Sequence, residues 1–407
     1  MLTAPLRVAM IHLSELRLDS RVQRQARALA ERGDEVDLVG IGERETVRVG
    51  AGTMRVHPVD AAKAHGGAGS YVRGYANFTA RALARVAALD RSRRFDVVQA
   101  HNMPDLLVAA ALVPRLRGVP LILDVHDTFP ELFATKFARP PRDPLARLLR
   151  WEERLSAALA TRVLVVTEQA RRRLHSRGVG VGSTEVVMNS PDERLFGEPR
   201  DALLLPAEGP LRLLYHGGLA ERFGVRTLIE AFGLLRERLP RLRLRICGSG
   251  EPAERERLTA LAREIDRERI EVAPAPVPFA QIPAELAGAH IGVVPTLHDR
   301  FTELLLPVKL LEYVHMGMPV VCSRLPCIAD YLGERELRTF TAGDPADLAA
   351  AIAALCADPV AAQRRAAQAQ SAIAPLAWER QRERYLGVVD ELAGMATQLT
   401  VPGSVSG

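Results

Sequence analysis

Lysine is nearly missing from this chain: Lys63, Lys136 and Lys309 are the only lysines, so the 54 basic residues are almost all arginines. The formal charge of +5 rests on arginine spread along the sequence, and no nucleic-acid partner is expected from it. Cysteine is scarce as well. Cys247, Cys322, Cys327 and Cys356 form no CxxC pair and have no histidine at zinc-ligand spacing. That pattern argues against a disulfide scaffold or a zinc ribbon, and the four read as buried small residues in a reducing cytoplasm. No apolar run approaches the roughly 20 residues that a membrane-spanning helix needs. The opening strand-like run ending at His12 leads at once to Glu15, Arg17 and Asp19, which is not a secretory pattern. Aromatic residues are only 5% of the 407, so aliphatic side chains must build the cores.

What is present is a regular alternation. Short apolar runs, rich in β-branched residues, stand at 7–12, 35–41, 95–101, 120–126, 162–167 and 185–189, with helical patterns between them. Several lack polar alternation, as strands buried on both faces do. Ser20 with Gln23 reads as a capping box for the first helix, and Gly33 as its stop. The pattern weakens through 199–210 and restarts at 211–216, 241–247, 269–272, 290–294, 319–323 and 338–340. The expected fold is therefore α/β, with two Rossmann-like, doubly wound parallel-sheet domains. Their expected bounds are 1–198 and 199–377, with a cleft between them. A closing helix at 378–394 packs back on the first domain, and the tail 397–407 is disordered.

The segment from His298 to Val321 carries the strongest chemistry. A polar loop passes through Pro307 into a helix start bearing Lys309 and Glu312, and Gly317 and Pro319 end that helix. Free backbone N–H groups at a helix start, beside a lysine, suit a diphosphate. A glutamate one turn on can accept from two vicinal hydroxyls, although acids also occur there simply to meet the helix dipole.

Pro307-Val-Lys-Leu-Leu-Glu-Tyr, followed by Gly317-Met-Pro-Val-Val, resembles the donor signature of glycosyltransferase family 4 in its P-x-K-L-x-E-Y variant. Tyr215-His-Gly-Gly-Leu-Ala-Glu-Arg-Phe-Gly and the run to Phe232 are similar to the opening of that family's second domain. Cys247-Gly-Ser-Gly-Glu, His290-Ile-Gly-Val-Val-Pro, Asn189-Ser-Pro-Asp and Trp378-Glu-Arg-Gln follow in the family's order, so the resemblance spans nearly the whole chain. It implies a GT-B fold and transfer of a sugar from a nucleotide diphosphate donor to a hydroxyl acceptor, with retention of configuration. It also implies that no metal or other cofactor is needed.

Carried across, the resemblance makes Glu312 the grip on the donor ribose. Arg222 and Lys309 become the charges on the diphosphate, and Gly217, Gly218, Gly248, Gly250, Pro307 and Val308 the surrounding donor wall. His126, in Asp124-Val-His-Asp, becomes the histidine facing the donor sugar. Asp19, His101 and Asp127 are placed on the acceptor side. Three positions depart from the commoner pattern. Leu304 replaces its first glutamate, leaving Glu303 as the neighbouring candidate catalytic acid. Gly218 and Phe223 replace an arginine and a lysine.

Other patterns are weaker. Gly248-Ser-Gly-Glu-Pro-Ala fits a dinucleotide fingerprint, but Glu251 would meet a pyrophosphate there. Asp124-Val-His opens like a metallophosphoesterase motif without its companions. A nucleotide-sugar epimerase on the same fold and a catalytically degenerate donor-binding subunit stay open as alternatives. Positions 139–173 hold nine arginines against four acids, with Leu145, Leu148, Leu149, Leu155 and Leu159 at helical spacing. Either this is a helix docked on its core with a solvated basic face, or it meets an anionic membrane surface. The second reading goes with polysaccharide or glycolipid assembly at the inner face of a membrane, on a lipid-linked acceptor.

Overall fold

A computed structural model describes residues 4–15, 19–60, 68–137, 140 and 143–400, with the side chains at 68, 71 and 396–400 outside the description. Part of the expected tail (401–407) and Arg139 and Arg142 of the basic stretch lie outside the described residues. The chain folds as two compact units, Met1–Asn189 with Glu379–Gly407, and Ser190–Trp378. The change of unit thus falls at Asn189, not at 198. Residues 197–203 belong with the second unit, where Gly197 O accepts from His315 Nε2 at 2.8 Å and Leu203 N–H donates to Gly317 O at 2.7 Å.

The first unit is an eight-stranded sheet of β1 (Arg7–Glu15), β2 (Glu35–Ile41), β3 (Glu45–Val49), β4 (Gly52–Pro58), β5 (Val97–His101), β6 (Leu121–Val125), β7 (Arg162–Val165) and β8 (Thr184–Val186). Its order is β3-β4-β2-β1-β5-β6-β7-β8, parallel throughout except for the edge strand β3. The β3–β4 pair was not legible because its strands mix charged and apolar residues and carry no apolar run. Val8, Met10, Val97, Ile122 and Leu164 bury one face with no exposure above 0%. Tyr385, Val389 and Leu392 of the last helix, Trp378–Thr400, join the same core.

The first helix, Ser20–Arg32, shows how the chain sets its own boundaries. Its cap is Asp19, not Ser20. The Asp19 carboxylate accepts from the N–H groups of Arg21 and Val22, and Gly33 ends the helix at φ 116°. A carboxylate one residue earlier reaches both orphan donors, so the expected Ser20–Gln23 capping box does not form.

The second unit is a six-stranded, all-parallel sheet of β9 (Leu211–Gly218), β10 (Leu242–Ser249), β11 (Ile270–Val272), β12 (Ile291–Val294), β13 (Val320–Ser323) and β14 (Arg338–Phe340). Its order is β11-β10-β9-β12-β13-β14. The order reverses at β9, and ligands of open α/β sheets bind at the carboxyl ends of strands beside such a point. The two units share this doubly wound architecture, as the sequence predicts.

Candidate functional sites

In the second unit the carboxyl end of β9 and the helix Val308–His315 enclose a cavity of about 440 Å³. His216, Gly217, Gly218 and Phe223 line one side, Gly248 and Ser249 the next, and Pro307, Val308, Lys309 and Glu312 the third. Pro307 caps the helix without a side-chain hydrogen bond, so the first N–H groups stay available to an anion.

Lys309 is held deliberately low in the cavity. Its Nζ donates to Tyr215 Oη at 3.0 Å and sits 4.3 Å from the Tyr215 ring centroid and 5.0 Å from that of Phe223. Tyr215 in turn donates to Gly218 O. Burial pushes the Lys309 ammonium down to about 7, against the pull of Glu312. Gly217 makes this placement sterically feasible: at φ 119°, a Cβ there would lie 2.6 Å from Lys309 Nζ. Glu312 is 3% exposed, with Oε2 3.2 Å from His216 Nε2. His216 was not singled out from the sequence; its signal is its place at a strand end, two residues before Gly218.

The expected donor residues are not all brought together. Gly217, Gly218, Gly248, Pro307, Val308, Lys309 and Glu312 line the cavity, whereas Arg222, Gly250 and Glu303 are not in its lining. The Arg222 guanidinium lies 5.7 Å from the Phe301 ring, and Glu303 Oε2 lies 3.8 Å from His298 Nε2. Leu304 is buried. Gly250 acts in packing instead: a Cβ there would lie 3.0 Å from that of Leu219.

In the first unit a polar centre forms where the parallel strands β1, β5 and β6 end. Asp124, fully buried on β6, is its hub. Arg21 grips it with two nitrogens, Nη2 to Oδ1 at 2.7 Å and Nε to Oδ2 at 2.9 Å, and Gln25 adds a third donor at 3.0 Å. Gln99 ties the hub to the last helix, since Tyr385 Oη donates to Gln99 Oε1 at 2.8 Å. Burial raises the Asp124 carboxyl, but Arg21 and the neighbouring histidines outweigh it and hold it well below the usual range.

Around the hub stand three histidines. His101 Nδ1 is 3.1 Å from Asp124 Oδ2 and 3.1 Å from His126 Nε2. His12 Nε2 is 3.1 Å from Asp19 Oδ2, and His126 Nδ1 is 3.8 Å from the same oxygen. Burial lowers His101 to about 4, so it is neutral at pH 7. Burial also raises Asp19, yet its bond to His12 and the charge of His126 prevail and keep it ionised. Asn102 braces the His126 loop by accepting from the His126 N–H at 2.7 Å and donating to Asp127 O at 2.7 Å. The expected residues Asp19, His101, His126 and Asp127 thus meet in one place. Arg21, Gln25 and Gln99 were missed because nothing in a helix or strand pattern marks a polar residue as buried. His12 closes a predicted strand, which was its signal.

His101, Asp124 and His126 bring three ligand-type atoms within 4.8 Å of one another, spacing that a metal ion can use. The donor set does not favour one, because the Asp124 oxygens already accept from the Arg21 guanidinium and Gln25.

Two family models match the chain, a "Glycosyl transferase 4-like domain" over residues 18–190 and "Glycosyl transferases group 1" over residues 210–358. The glycogen synthase of Mycobacterium tuberculosis is 28% identical over 284 residues, a match covering 69% of this chain and 65% of that protein. Among solved structures, sucrose-phosphate synthase from Thermosynechococcus elongatus is similar at TM-score 0.75 and 18% identity, covering 96% of this chain and 100% of the other. HepE of Anabaena, solved in complex with UDP and glucose, is similar at TM-score 0.70 and 13% identity, covering 95% and 100%.

Proposed function

We propose, from the premise that this chain belongs to the glycosyltransferases of the GT-B fold, that it moves a sugar from a nucleoside diphosphate donor to a hydroxyl acceptor with retention of configuration. The observation that carries this reading is the convergence of Lys309, Glu312 and an uncapped helix start on one cavity at the end of β9. UDP bound in HepE, a protein of similar fold, supports the donor class.

In this mechanism the diphosphate lies against the N–H groups at the start of Val308–His315, with Lys309 beneath it. Glu312 accepts from the ribose hydroxyls, and His216 orients Glu312. As the bond to the sugar breaks, negative charge grows on the diphosphate, and pre-placed N–H groups and an ammonium stabilise it without reorganising. We assign Arg222 to the same charge from the loop that holds Phe223, a role that needs its guanidinium to turn from Phe301 toward the cavity. His126 bonds a sugar hydroxyl, its charge adjusted by Asp19 and Asp124. The acceptor hydroxyl is placed on the strand ends of the first unit, near His101, Asp19 and Asp127. Asp19 and Asp124 there are held by His12 and by Arg21 with Gln25, which supports a same-face reaction in which the leaving phosphate takes the acceptor proton. No metal enters these steps. The setting we assign is glycolipid or polysaccharide assembly in the cytoplasm, at a membrane face.

The test is release of UDP or GDP from a panel of nucleotide sugars with lipid-linked and soluble acceptors. Glu312→Ala should weaken donor binding at least about tenfold, and Arg222→Ala should lower turnover by a similar factor. Unchanged constants in both variants would remove these roles. The cluster of His12, Asp19, His101 and His126 also favours a second reading, a nucleotide-sugar epimerase, which needs acid and base groups at the sugar. Incubation in D2O without acceptor separates the two, since epimerisation through proton abstraction puts deuterium on the sugar ring and transfer does not.

A further inference from the structure

The helix Pro144–Leu159 turns its apolar stripe away from the core. Its buried positions are Ala146, Glu153, Ser156 and Ala157, while Leu148, Trp151 and Leu155 are 54%, 60% and 41% exposed. This corrects the expectation that the leucines dock this helix on its core. They face a groove of about 380 Å³, walled on its other sides by Val72 and Ala76 of the helix Ala68–Ser92, by Met103, and by Phe129 and Phe133 of the helix Phe129–Lys136. Large apolar side chains left open to water over one continuous surface mark a binding site.

Charge narrows the occupant. Lys136 lines the groove; Arg147 and Arg154 are exposed on the same helix but outside the groove's lining. Glu152 lines the groove, but its Oε2 is buried and its Oε1 accepts from Ser156 Oγ at 3.1 Å; Glu153 is buried, and its Oε2 accepts from Arg177 Nη1 at 2.6 Å. Outward, then, the helix presents leucine, tryptophan and positive charge. Met103 and Pro104, in the groove wall, follow directly on His101 and Asn102 of the polar centre. An occupant of the groove therefore has one end beside the proposed acceptor position.

We infer that this groove holds the hydrocarbon chain of an anionic lipid, whose phosphate meets Lys136 and whose head group is the acceptor. The acceptor role rests on the glycosyltransferase reading; binding of the chain does not. The protein's two tryptophans make the site observable, because Trp151 is exposed at the groove while Trp378 is 8% exposed and lies in the other unit.

The experiment titrates the full chain with decyl phosphate below its micelle-forming concentration, following tryptophan emission, with decyl maltoside and inorganic phosphate as parallel probes. Decyl phosphate should give a saturable blue shift, decyl maltoside a response at least about threefold weaker in affinity, and inorganic phosphate none. Trp151→Phe should abolish the shift, and Ala76→Phe, which fills the groove, should weaken binding at least about tenfold while UDP affinity stays unchanged as a check on folding. No shift with decyl phosphate, or an equal affinity in Ala76→Phe, overturns the inference, as does a response to inorganic phosphate alone. Binding to vesicles containing phosphatidylglycerol without any response to monomeric decyl phosphate would instead make this a membrane-docking face, and overturn the acceptor site. Alkyl phosphate binding with no sugar transfer under any donor would leave the groove in place and refute the catalytic reading, whereas transfer to soluble acceptors without alkyl binding would do the reverse.

Discussion

The Phe223 ring occupies the space that a side chain at position 218 would need: a Cβ on Gly218 would lie 2.4 Å from Phe223 Cε2. The departures at 218 and 223 from the family's commoner pattern are therefore one change. With an aromatic ring at 223 packed over Lys309 and the backbone at 218, residue 218 must be glycine, and the cation sits on the helix instead. Gly218→Ala should push the ring aside and weaken UDP binding about tenfold, or about 1.4 kcal/mol. Adding Phe223→Ala should restore part of that loss, as residues in contact are coupled. Calorimetric titration of both variants decides it, and wild-type affinity in Gly218→Ala alone would dissolve the link.

Donor binding should also depend on pH in a definite direction. Burial lowers Lys309 to about 7, so the free protein loses this charge as pH rises through neutrality. A bound diphosphate favours the ammonium, so binding above that pH takes up a proton. UDP affinity should be flat below about pH 7 and fall toward tenfold per pH unit above it, measured in buffers of different ionisation heat. Lys309→Met should bind more weakly and lose the slope; the same slope in that variant would assign the proton elsewhere.

The Arg21–Asp124 pair is buried on both sides, at 4% and 0% side-chain exposure. Removing one partner of such a pair costs about 3–5 kcal/mol because the other charge is left alone. Arg21→Ala should lower unfolding stability by that order in urea titration. The pair also has a pH signature. Asp124 is held below the usual carboxylate range, so its contribution is complete above the unfolded value of about 3.9 and is lost as pH falls below it. Acid unfolding should thus begin at higher pH in Arg21→Ala, and identical profiles would show that the pair contributes little.

Turnover should survive chelation. The Asp124 oxygens are engaged by Arg21 and Gln25, and in the proposed mechanism Lys309 supplies the cation for the diphosphate. Activity within about twofold in EDTA is expected. A tenfold loss restored by Mg²⁺ or Mn²⁺ would place an ion in the mechanism.

Some features were legible because they are local. Strands buried on both faces read as unbroken apolar runs, and Pro307, Lys309 and Glu312 lie within two turns of one helix, so their spacing alone puts them together. The polar centre was only partly legible. Asp19, His101 and His126 stand at predicted strand or helix ends, but Arg21, Gln25 and Gln99 sit inside regular elements where a polar residue usually faces water. Tyr385 is 286 positions from the Gln99 to which it donates.

Local order thus came from the sequence by itself: where strands and helices run, that the sheets are parallel, and that Pro307, Lys309 and Glu312 share one helix start. Each of these depends on residues a few positions apart, whose geometry the backbone dictates. Tertiary structure alone decided which faces meet. It joined Gly218 to Phe223, gathered three histidines from three strand ends around Asp124, and turned the leucines of Pro144–Leu159 outward. A periodic stripe says that a face is apolar, but what lies opposite it depends on elements distant in the chain.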